Sequence, residues 1–145
     1  MAKINNTWSA EFYAPVNSAK ADEREEFYAY AAEAVEVMRR KDRKIPMILL
    51  GDFNGHIKHH YSQDTNENGE LLLEIIKNYS LELINMNCPT FEQPGKNPTC
   101  VDYVALNQKG HEIVMTCKTR DEIYTTSNHH LIEITANSTL LNMTL

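Results

Sequence analysis

"MILLGDFNGH", residues 47–56, decides how the rest of the chain is read. Four apolar residues in succession, Met47 to Leu50, suit a strand covered on both faces. The run closes on Gly51, Asp52, Phe53 and Asn54, which deliver an acid, an aromatic ring and an amide together. The carboxyl end of a buried strand is where open α/β sheets place their chemistry.

Outward from that strand, the preceding "ADEREEFYAYAAEAVEVMRRK", Ala21 to Lys41, sets Phe27, Tyr30, Ala31, Ala34, Val37 and Met38 at helical spacing. Acids gather at its start and bases at its end, as a helix dipole prefers. The polar "HIKHHYSQDTNENG" reads as a loop, after which Asn68 and Gly69 start a second helix, Glu70 to Tyr79, with Leu71, Leu72, Ile75 and Ile76 on one side. "LELIN" reads as a strand, and "TFEQPGKNPTCVDYVAL" as two strands around a turn. "HEIVMTCK" and "HLIEITA" supply two more strands, separated by the polar "TRDEIYTTSN", and the final "NSTLLNMTL" yields no assignment. This order predicts an α/β fold with a mixed, largely antiparallel sheet and helices against it.

At 145 residues the chain holds one domain with a real core and not two. The net charge of −6 is the wrong sign for gripping nucleic acid through a basic surface, so a phosphate substrate would need a metal ion. No apolar run is long enough for a membrane span, and "MAKINNTWSAEF" lacks the regions of a signal peptide, which predicts an intracellular protein, nuclear or cytoplasmic. Cys88, Cys100 and Cys117 show no CxxC pairing and read as reduced thiols. The sequons at Asn5, Asn78, Asn137 and Asn142 read as chance in an Asn-rich chain.

Three strand-end clusters, "GDFN" at 51–54, "CVDYVAL" at 100–106 and "TSNHHLIEI" at 126–134, set Asp, Asn or His beside an apolar run. One such cluster is ordinary turn chemistry; three in one chain suggest a site. His56, His59 and His60 form an H-x-x-H-H string that reads as a solvated loop, with a Zn²⁺ or Ni²⁺ site as the weaker alternative. His111 reads as a surface residue beginning a strand, and His130 as facing away from His129.

The order "FYAP", "GDFN", "VDY", "SNHH" resembles the endonuclease/exonuclease/phosphatase family, and the interval between the second and third motifs most resembles its LINE-type retrotransposon endonucleases. The likeness runs from about Glu11 to Ile134. It implies part of a four-layer α/β sandwich and divalent-metal-dependent hydrolysis of phosphodiesters with Mg²⁺ or Mn²⁺, on DNA with RNA left open. By resemblance, Asp52 positions or deprotonates water and Asn54 holds it or a phosphate oxygen. Asp102 orients His129, which in its protonated form stabilises the transition state, and Tyr13 contacts the phosphate or leaving group.

Two departures stand out. Asn128 occupies the place of an Asp in the family pattern, so the expected metal ligands reduce to Asp52 and a neutral amide. Only residues 1–10 precede "EFYAP", where the family has a half-domain carrying an early Asn and a Glu ligand. Residues 1–145 therefore read as one partial domain, with an exposed apolar sheet face, and as a homodimer or a partner for a complementing amino-terminal half. The alternative reading is a non-catalytic binding or self-assembly module of the same descent.

Overall fold

The computed structural model describes residues 1–4, 6–85, 88–122, 126–137 and 142–144. Asn5, part of the stretch 119–128 read as a polar loop, and part of the unassigned tail lie outside the described residues.

Strand β3 (Met47–Asp52) is the axis of the molecule, with its first four residues buried. It pairs in parallel with β2 (Thr7–Tyr13) and antiparallel with β5 (Asp102–Leu106). β1 (Ala2–Ile4) and β4 (Glu82–Leu83) form the edges, giving the order β1-β2-β3-β5-β4. A parallel neighbour requires a crossover, which α1 (Ala21–Lys41) supplies. With α2 (Glu67–Asn78) it covers one face of the sheet, where Trp8, Ala10, Met47, Leu49, Tyr103 and Ala105 meet Tyr28, Val35, Met38, Leu72 and Ile75.

The opposite face is sealed by a second sheet, β6 (Val114–Arg120), β7 (Leu131–Ala136) and β8 (Asn142–Thr144), in that order. Ile132 and Ile134 pack onto Ile48, Leu50, Val104 and Leu106. Alternation along β3 thus feeds both cores, which is why its sequence is continuously apolar. The mixed α/β architecture matches the reading from sequence. Among the described residues no helix is long and apolar enough to cross a membrane.

Several expectations are corrected. No exposed apolar sheet face appears among the described residues: β2 turns Ser9, Glu11 and Tyr13 to that side. On the outer face of the second sheet, Arg120 bonds Glu133 and Thr116 meets Thr135. The buried stripe of α1 runs through Arg24, Tyr28, Ala31, Val35 and Met38, leaving Tyr30 exposed. Helix α2 is capped by Asn66, whose side chain accepts from the Gly69 N–H, so Asn68 lies inside the first turn. "LELIN" contributes only two strand residues, and Phe91 and Thr99 form an isolated bridge in place of a strand. His111 belongs to a short helix, α3 (Gln108–Ile113), capped by Asn107 through the Gly110 N–H.

Candidate active site

Register places the site. Tyr13 is the partner of Asp52 on β2–β3, and Asp52 is the partner of Asp102 on β3–β5, so three side chains form one row across three strands. The row lies on the face of Leu50 and Val104, where it ends the apolar floor between the sheets. Gly51, at φ 146°, is required there, because a Cβ would overlap the Phe12 carbonyl of the neighbouring strand.

His129 reaches this row from the segment before β7, through a bridge to Phe91. Its ring meets Phe91 edge-on at 4.9 Å. Nδ1 stands 2.9 Å from Asp102 Oδ2 and 3.1 Å from Oδ1, while Nε2 stands 3.7 Å from Asp52 Oδ2. A carboxylate against Nδ1 selects the tautomer with its proton there and leaves Nε2 to exchange protons. Asp102 is itself fixed: its N–H and that of Val101 donate to Thr90 Oγ1, and Asn85 donates to its carbonyl at 2.7 Å.

The Asp52 side chain is only 10 % exposed. Burial raises its carboxyl above the ordinary range; the Asn54 N–H, donating to Oδ1 at 2.9 Å, opposes this, the Asp102 charge adds to it, and His129 lowers it. Asn54, at φ 46°, donates Nδ2 to the Ala14 carbonyl at 2.8 Å, which ties its amide to the loop after Tyr13. Tyr13 stands at the mouth, 77 % exposed.

Asp52, Asp102 and His129 offer ligand atoms all within 4.8 Å of one another, the one such cluster found among the described residues. The H-x-x-H-H string forms none: His59 is exposed at φ 70°, and His56 is half-buried, its pKa held below the usual value by desolvation. Two cavities meet at His129. One of about 310 Å³ is lined by Glu11, Tyr13, Asp52, Asp102, His130 and Leu131 among others. Another of about 240 Å³ is lined by Asn54, His56, Phe91, Lys96 and Val101 among others. His130 therefore shares a cavity with His129, although its Nε2 turns to Glu92 at 3.9 Å. Asn128 is exposed, lines neither cavity, and accepts the Glu92 N–H on its backbone carbonyl.

Sequence reading thus names the row and the histidine. It misses Thr90, Phe91 and His56 as neighbours of the site; the Thr-Phe pair after Pro89 is the signal that was available for two of them.

A model of the endonuclease–reverse transcriptase family matches residues 10–133. The chain belongs to that family. No curated protein sequence matches it. Solved structures share its fold: the endonuclease domain of TRAS1, a telomere-specific non-LTR retrotransposon, has a TM-score of 0.66 at 17 % identity over 88 % of this chain and 55 % of its own. The 3′ phosphatase NExo from Neisseria, bound to a product DNA hairpin, has a TM-score of 0.68 at 15 % identity over 91 % and 61 %. The catalytic domain of APE2 from Xenopus laevis has a TM-score of 0.62 at 16 % identity over 88 % and 50 %. The family member described here spans between half and about three fifths of those chains.

Proposed function

We propose that this chain is the carboxyl-terminal part of a divalent-metal-dependent endonuclease domain of retroelement type, hydrolysing phosphodiester bonds in DNA. The observation that carries the reading is the contact of one imidazole with Asp102 through Nδ1 and with Asp52 through Nε2, at the end of a buried strand. Hydrolysis of a phosphodiester requires an oriented water, a proton acceptor and a group that meets the developing charge. Asp52, desolvated and raised in pKa, accepts the proton of the attacking water. His129, held by Asp102, presents Nε2 to the phosphoryl oxygens, donating when protonated. Asn54 supplies its second N–H to a phosphate oxygen, and Tyr13 closes the mouth over the departing nucleotide.

A hard cation fits this donor set, since two carboxylates aligned across β3–β5 offer oxygen ligands and the Asp102 charge adds to the cost of ionising Asp52. Asp52 would hold Mg²⁺ or Mn²⁺ beside Asp102, and Asn128, exposed on the segment before His129, would join the ligands only by turning its amide oxygen inward. When bound, such an ion would supply the neutralisation of phosphate charge that a chain of net −6 leaves uncompensated.

A complementing amino-terminal half or a second copy would complete the site beside Glu11 and Tyr13, two exposed residues that line the larger cavity. Light scattering at micromolar concentration tests the homodimer; a monomer excludes it. The non-catalytic reading is favoured by one observation, the exposed neutral Asn128 outside both cavities.

Nicking of supercoiled plasmid with Mg²⁺ or Mn²⁺ decides between the two. Cleavage lost in both Asp52→Ala and His129→Ala supports the hydrolase; absence of cleavage, or cleavage indifferent to both, supports the binding module. A single-stranded RNA of matched length in parallel separates the two nucleic acids.

A further inference from the structure

Asn68 sits in the first turn of α2 and is fully buried, although the helix already has its cap in Asn66. Its Nδ2 lies 2.8 Å from the Pro15 carbonyl, 3.2 Å from that of Asn54 and 3.5 Å from that of Phe53. Three carbonyl oxygens around one atom identify it as the amide nitrogen. The backbone N–H of Asn68 donates to Asn17 Oδ1 at 3.2 Å. A single residue therefore bonds the loop that follows Tyr13 and the loop that follows Asp52.

The ladder between β2 and β3 ends at the pair Tyr13–Asp52. Past it, the two chains are joined by the Ala14 N–H on the Asp52 carbonyl at 2.7 Å, by Asn54 Nδ2 on the Ala14 carbonyl, and then by Asn68. Arg24 of α1 braces the same loop through the carbonyls of Asn17 and Ala19, and pairs with Glu67 beside Asn68. The two amide hydrogens serve the nearer carbonyls, of Pro15 and Asn54, while that of Phe53 also accepts from the Tyr28 hydroxyl at 2.6 Å; without the Asn68 amide, two carbonyls would lose a donor at the point where the strands diverge.

We propose that Asn68 is a positioning residue: its buried amide clamps the Tyr13–Asn17 loop to the Asp52–Asn54 loop and so fixes Tyr13, Asp52 and Asn54 relative to one another. The catalytic consequence rests on the hydrolase reading above; the clamp itself does not.

The test pairs hydrogen–deuterium exchange of the metal-free chain with plasmid-nicking kinetics in Mn²⁺, for Asn68→Ala and for the milder Asn17→Ala. Asn68→Ala is expected to lose protection in peptides covering 13–19 and 52–57, where the N–H groups of Ala14, Asn54 and His56 are bonded, and to keep it in 114–120 and 131–136. Its kcat is expected to fall about 10²-fold with KM held within about threefold, because the loss is one of alignment and not of binding. Asn17→Ala should show the same pattern at smaller amplitude, and carries the test if Asn68→Ala does not fold. Protection lost evenly along the chain overturns the proposal, as does local loosening with kcat unchanged or a change confined to KM. If the unsubstituted chain does not cleave, the hydrolase reading fails by itself, and exchange alone decides the clamp: local loss upholds it, and no local loss overturns it.

Discussion

Nδ1 of His129 lies 2.9 Å from Oδ2 of Asp102, a contact between residues separated by 27 positions in sequence. Asp102 is fixed at its backbone by Thr90 and Asn85, so the ring inherits its orientation from β5 and not from its own loop. Asp102→Asn keeps the shape but also admits the opposite tautomer. We expect kcat in the nicking assay to fall by about 10²-fold or more with little change in melting temperature. A full-rate Asp102→Asn variant would remove His129 from the chemistry.

Asp52 is costly to the fold. Its carboxyl titrates above the ordinary 3.8, so between those values the folded chain binds a proton that the unfolded chain has released, and stability falls as pH rises through that window. Asp52→Asn retains an oxygen for the Asn54 N–H and removes the charge. It should stabilise the metal-free chain by about 1 kcal/mol at pH 7, with the gain shrinking as pH is lowered towards 4. Thermal melts in EDTA at the two pH values check this; a loss of stability at pH 7 would contradict it.

Much of this was legible in the sequence, and the divide has a physical basis. The strand at Met47–Asp52 advertises itself because it is buried on two faces, and the acids at 52 and 102 because they interrupt apolar runs. β2 goes unread because its burial rests on Trp8 and small Ala10, with Thr7, Ser9 and Glu11 between them. In "TNENG", Asn66 and Asn68 are equally good caps by composition, and only tertiary contacts 53 and 14 residues away separate them. His111 reads as strand from sequence because the apolar "IVMTCK" follows it, while the cap at Asn107 lies four residues earlier.

Tyr103 anchors the loop after Asn54 from below. Its hydroxyl, buried and pushed far above its usual pKa by desolvation, donates to the Gly55 carbonyl at 2.9 Å, with the Cys100 carbonyl at 3.0 Å. Tyr103→Phe leaves those carbonyls without their donor and should cost about 1–3 kcal/mol in urea unfolding. A midpoint shift near zero would mean that water replaces the hydroxyl.

Gly51→Ala is the most disruptive single methyl we foresee. The position combines φ 146° with the Phe12 backbone against it, so β2 must move away from β3. A loss above about 4 kcal/mol, or failure to fold, is expected in circular dichroism melts.

Asn128→Asp restores a charge beside His129. If residue 128 serves the ion, calorimetry should show Mn²⁺ binding about tenfold tighter, roughly the value of one added charge at an exposed site against a divalent ion. Unchanged affinity would leave Asp52 and its neighbours as the ligands.

The seating of Ile132 and Ile134 on Leu50 and Val104 also sets an order of events. During synthesis, β3, both long helices and β5 are complete before residue 129 exists, so the two acids first face each other without the imidazole. The ring arrives only with the docking of the second sheet, a step that joins segments far apart in the chain and is correspondingly slow. Reactivity of His129 towards an acylating reagent would therefore reach its native value last in refolding, making the site its own clock for completion of the fold.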